Sequence, residues 1–127
     1  MRRQFKLPDE DEEYLNSLGL AWETVMEGTC PWILLHLYPV PAGYTHRTAT
    51  AAVRVLGYPP GMIDMVYFHP ELARADGKPI NATSAMQLDR KPFQQWSRHY
   101  PWNSAEDTLA THMVRVVAWL GREFAKR

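Results

Sequence analysis

The chain has 127 residues, 14 of them basic and 14 acidic, so its formal net charge is zero. That length suits one domain over residues 1–127, and the even balance leaves no basic excess to neutralise phosphates, which argues against nucleic acid as the main partner. A hydrophobic content of 46% excludes a disordered chain, the single Cys30 excludes an intramolecular disulfide, and no apolar run reaches membrane-spanning length, so the expectation is a cytoplasmic protein without a membrane partner.

Pro8 followed by Asp9-Glu10-Asp11-Glu12-Glu13 reads as a helix start, because carboxylates there complement the positive end of the helix dipole. Tyr14, Leu15 and Leu18 give that helix an apolar side, and Gly19 is placed to stop it. Residues 22–26 alternate as a strand, Glu27-Gly28-Thr29 turns the chain, and residues 32–38 form a second, more apolar strand. Residues 48–56 predict a third strand. Gly57-Tyr58-Pro59-Pro60-Gly61 is a turn that cannot join a ladder, and residues 62–68 predict a fourth strand ended by His69-Pro70. Four strands with no helix between them imply an antiparallel meander, hence an α+β fold.

From Leu72 to Lys91 the periodicity is lost, apart from residues 82–88, which read as a short strand or a turn. An irregular arm of that length in a small domain is usually functional or partly mobile. Ser104 and Asp107 resemble a capping box, and Leu109, Met113, Val116, Leu120 and Phe124 then recur at helical spacing, giving a C-terminal helix with one face to bury.

The chemistry concentrates in Gln95-Trp96-Ser97-Arg98-His99-Tyr100-Pro101-Trp102. Ser97 and His99 are two apart, so in an extended segment their side chains point to one side. A hydroxyl needs a base to become a nucleophile, and an imidazole supplies one near neutral pH. The plainer alternative is that Trp96 and Trp102 anchor a loop whose polar groups Ser97 and His99 satisfy. His112 lies on the C-terminal helix and could reach that loop. Thr83 and Ser84 are further hydroxyls, and Cys30 reads as a small core residue without a neighbouring base. No two histidines stand at i+3 or i+4 and no Cys-x-x-Cys occurs, so no metal and no cofactor is expected.

Several motifs, in order, resemble the ubiquitin-conjugating (UBC) superfamily. Residues 22–28 are similar to its first strand and turn, and Tyr58-Pro59-Pro60 with residues 62–70 to its tyrosine-proline turn, fourth strand and His-Pro signature. Pro41-Ala42-Gly43-Tyr44, Trp96-Ser97-Arg98-His99 and residues 107–112 resemble a bacterial branch found in operons with ubiquitin-like proteins, activating-enzyme homologues and deconjugating peptidases. The resemblance implies a UBC-like fold of N-terminal helix, four-stranded meander, active-site arm and C-terminal helix. It also implies two partners, a ubiquitin-like protein and its activating-enzyme homologue.

The family's nucleophile is a cysteine shortly after the His-Pro pair, and here no cysteine follows His69. Ile80 or Gln87 stands near that place, depending on how the arm aligns, and Glu71 replaces the family's asparagine. Two functions remain open. One is an acyl carrier with Ser97 as nucleophile, His99 as base and Arg98 offsetting charge at the acyl carbon, supported by Trp96, Trp102, Asp107 and His112, with Ser84, Thr83 and Cys30 as other nucleophiles. The other is a non-catalytic module that docks a ubiquitin-like protein or its activating enzyme.

Overall fold

Pro8 caps the first helix, α1 (Asp9–Ser17), in the computed structural model, which describes residues 1–125. The Pro8 carbonyl accepts the amides of Asp11 and Glu12, four acidic residues fill the first turn, and Gly19, at φ 71°, turns the chain out of the helix. The strands follow as β1 (Trp22–Glu27), β2 (Cys30–Pro39), β3 (Thr48–Arg54), β4 (Asp64–His69), β5 (Thr83–Leu88) and β6 (Lys91–Trp96), and α2 (Leu109–Arg122) runs into a 3₁₀ turn at Glu123–Ala125.

The sheet is antiparallel throughout, in the order β1-β2-β3-β4-β6-β5. The expected four strands are all present. The sheet is nonetheless six-stranded, because residues 83–88 of the arm form a hairpin with the stretch that follows it, and β6, not β5, pairs with β4. Asp89 and Arg90 make the hairpin's two-residue turn with φ of 53° and 61°. Turns of that geometry usually carry Asn-Gly or Asp-Gly, so this one leaves little trace in the sequence.

One sheet face carries Ile33, Leu35, Ala51, Val53, Val66, Phe68 and Trp96, which pack against Leu15 of α1 and Leu109, Met113, Val116 and Leu120 of α2. The other carries Val25, Trp32, Leu34, Tyr67, Leu88 and Phe93, buried as a second cluster. The two ends of the sheet are tied together. Arg2 forks between Glu23 of β1 and Asp89 of the β5–β6 turn, and the Asp89 amide bonds Glu27 Oε1 at 2.7 Å. One sheet edge is covered as well, since the Gln4 amide bonds the Thr24 carbonyl and the Thr24 amide bonds the Arg2 carbonyl.

The C-terminal helix begins differently from the expectation. Thr108 is its N-cap, in a capping box with Thr111, while Ser104 and Asp107 lie outside the helix. Phe124 leaves the helical stripe and packs its ring on Tyr44 at 4.9 Å, over Gly43, where a Cβ would come within 2.6 Å of the ring. Tyr44 Oη donates to the Leu120 carbonyl and Arg74 Nη1 to that of Glu123, so two side chains from outside the helix satisfy its last turn. No helix among the described residues is long and apolar enough to cross a membrane.

Candidate active site

The register between β3 and β4 slips between Ala52 and Arg54, and Met65 sits at φ 61°, a conformation that costs a non-glycine residue roughly 1–2 kcal/mol. Three hydrogen bonds hold it there. The Met65 amide donates to the Arg98 carbonyl at 3.2 Å and to Asp64 Oδ1 at 3.1 Å, and its carbonyl accepts from His112 Nε2 at 2.8 Å.

This bulge brings Asp64 to His99. Nδ1 of His99 donates to Asp64 Oδ2 at 2.8 Å. An ionised carboxylate only accepts, so Nδ1 carries the proton of this bond, and Nε2 is the nitrogen left to act as a base whenever the ring is neutral. The His99 side chain is 66% exposed, which leaves that nitrogen accessible. A carboxylate that holds an imidazole in this way fixes the orientation of the ring.

Ser97 is half-buried just beyond β6. Its amide bonds the Ala82 carbonyl at 2.9 Å, and its hydroxyl accepts from Gln95 Nε2 at 3.4 Å. Neither His99 nor His112 hydrogen-bonds to that hydroxyl: Nδ1 of His99 is engaged by Asp64 and Nε2 of His112 by Met65. Burial lowers the His112 pKa, so its ring is a neutral prop beneath the bulge.

Arg98 points to the opposite face, where Nη2 lies 3.3 Å from Oε2 of the buried Glu123 and the guanidinium sits 5.0 Å from the Trp96 ring centroid. Trp96 is fully buried and Trp102 half-buried against the same core. Asp107 accepts from the Asn103 amide, Arg115 and Thr111, in that order of effect, which holds its carboxyl below the usual carboxylate range. Arg115 in turn lies 3.8 Å under the Tyr100 ring centroid.

The other hydroxyls separate by face. Thr83 stands opposite Trp96 and donates to the Ile80 carbonyl at 3.4 Å, whereas exposed Ser84 stands opposite Gln95, the residue that bonds Ser97. Ser84 also lines a groove of about 470 Å³ with His69, Glu71 and Phe93. There His69 Nδ1 donates to the Pro92 carbonyl at 2.7 Å. Cys30 is half-buried at the head of β2, opposite Glu27, and packs on the second cluster. No group of three or more His, Cys, Asp or Glu among the described residues could hold a metal ion.

Sequence reasoning missed Asp64 and the groove beside His69. The available signal was a lone carboxylate inside the apolar run Met62-Ile63-Asp64-Met65-Val66.

The family model of prokaryotic E2 family E matches residues 7–123. No curated protein and no solved structure matches the chain. The matched stretch takes in both helices, all six strands and the Asp64–His99 pair. The chain therefore belongs to prokaryotic E2 family E, in the bacterial branch of the ubiquitin-conjugating superfamily that its motifs resemble.

Proposed function

We propose that the chain is an acyl carrier in a ubiquitin-like conjugation pathway, with a ubiquitin-like protein and its activating-enzyme homologue as partners. In the first step Ser97 Oγ attacks the carbonyl of the partner's C-terminus, held as a thioester on the activating enzyme. His99 Nε2 takes the hydroxyl proton, the thiolate leaves on the activating enzyme, and an oxyester forms on Ser97. His99 then loses that proton to solvent. In the second step an amine attacks the ester and yields its proton to His99, the bond to Ser97 Oγ breaks, His99 passes the proton to Oγ, and an amide is released.

The observation that carries this reading is the Asp64–His99 pair, which orients an imidazole two residues from half-buried Ser97. A serine depends on such a base because its own pKa lies far above neutral, and catalytic hydrogen bonds are often unformed before substrate binds. The test is adduct formation with a charged activating enzyme. Ser97→Ala should abolish the adduct, and His99→Ala should slow it roughly a hundredfold. An oxyester should resist mild thiol and yield to hydroxylamine. Normal transfer by Ser97→Ala would overturn the assignment.

The second reading, a non-catalytic docking module, is favoured by two contacts: the Ser97 hydroxyl is engaged by Gln95, and Arg98 by Glu123. It predicts partner binding without any adduct.

A further inference from the structure

We propose that β5 is a self-association edge, at which two copies of this chain pair antiparallel to form one continuous sheet. β5 is the last strand of the order, with β6 as its only neighbour among the described residues. The opposite edge, β1, is covered by residues 2–4 through backbone hydrogen bonds. Within Thr83–Leu88, β5 has no such cover among the described residues; the edge is met only beyond its end, where the Asp89 amide bonds Glu27.

The parity of its ladder shows which groups are open. The Ser97 amide donates to the Ala82 carbonyl, so Ala82 and, by alternation, Ser84, Met86 and Leu88 face β6 with their backbone groups. Thr83, Ala85 and Gln87 therefore present their N–H and C=O groups outward. Pro92 agrees with this phase: it stands opposite Gln87, at a position where no amide is needed. Ala85 and Gln87 are exposed, and neither makes a hydrogen bond outside the hairpin.

Natural edge strands are commonly guarded by a charge, a proline or a bulge. Thr-Ser-Ala-Met-Gln-Leu has no charge and no proline, and its register with β6 is unbroken. A two-fold axis at Ala85 makes the strand complementary to itself. Thr83 then meets the second copy's Gln87, Ala85 meets Ala85, and Ser84 meets Met86. The outward pairs supply roughly six backbone hydrogen bonds, no like charges oppose one another, and the smallest side chain lies on the axis. With zero net charge, no overall repulsion keeps two copies apart. A second copy meets every one of these conditions and is the occupant proposed.

Sedimentation velocity across concentration tests the pairing, with amide exchange of Thr83, Ala85 and Gln87 followed by NMR. A dimer should form as concentration rises, and those three amides should become slow together. Ala85→Pro removes an outward amide without touching the β6 ladder, and Gln87→Lys places a charge on the edge. Each should return the monomer, and the far-UV spectrum should be unchanged. A monomer at all concentrations with the three amides fast would overturn the proposal, as would a dimer that both variants preserve.

Discussion

Arg90 is one of the non-glycine residues held at positive φ, with Leu37, Met65, Ala82 and Asp89. It holds φ 61° in a two-residue hairpin turn, next to Asp89 at 53°, and no partner fixes it as Arg2 and Glu27 fix Asp89. Arg90→Gly should relieve the left-handed penalty and raise stability by about 1 kcal/mol, read as a higher urea midpoint with an unchanged slope. An unchanged or lower midpoint would show that the turn is not strained. Asp64 matters in another way. It stands 35 positions from His99, so no local pattern links them, and only the β4 bulge brings the two side chains together. Asp64→Asn keeps the shape but weakens the hold on the Nδ1 proton. It should slow adduct formation by about tenfold or more while leaving the unfolding midpoint nearly unchanged, because partly exposed pairs contribute little to stability. A large loss of stability with normal transfer would make Asp64 a structural residue.

At the scale of elements, apolar strands and helical stripes were legible, and features that depend on distant partners were not. β1 to β4 announce themselves through residues that the sheet buries, such as Trp22, Ile33, Val53 and Phe68. Of the β5–β6 hairpin only β5 leaves a sign, in residues 82–88, which read as a short strand or a turn; β6 and the pairing do not, because the strands contain Ser84, Gln87, Gln94 and Gln95 and the turn lacks glycine. The cap of α2 was misplaced by four residues, since Asp107 looks like a capping partner but binds Asn103 and Arg115 instead. Thr108→Ala should therefore cost about 1 kcal/mol, whereas Ser104→Ala should be nearly silent, and thermal unfolding separates the two. α1 is joined to α2 by a relay in which Tyr58 Oη donates to Asp11 Oδ2 at 2.8 Å and accepts the Leu109 amide. Burial raises the Asp11 pKa above its ordinary value of 3.8. A raised carboxyl favours folding while protonated, and that contribution is lost as pH rises through the folded value. Asp11→Asn keeps an acceptor for Tyr58 and removes the buried charge. It should raise the midpoint at pH 7 and lose that advantage at low pH.

For the whole molecule, two cores share one sheet, and Arg2 ties the first strand to the last turn. Acid should loosen this in two stages. His112 is buried with its pKa lowered from 6.5, so its contribution is complete above that value and is lost as pH falls through the folded one. Glu23, held well below the carboxylate range by Arg2, and Asp89, lowered by the same guanidinium, lose theirs only below about pH 4. His112→Gln should remove the first stage and leave the second, as chemical denaturation between pH 7 and 3 would show. The central claim is that Ser97 accepts the acyl group, and peptide mapping of the adduct tests it most directly. Trypsin separates the candidates: 91–98 contains Ser97 as its single hydroxyl, 75–90 contains Thr83 and Ser84, and 7–47 contains Cys30. The account predicts that the partner's tail remnant appears on 91–98, is released by hydroxylamine and survives thiol. A remnant on 75–90 or 7–47, or no remnant from a partner that binds, would contradict it.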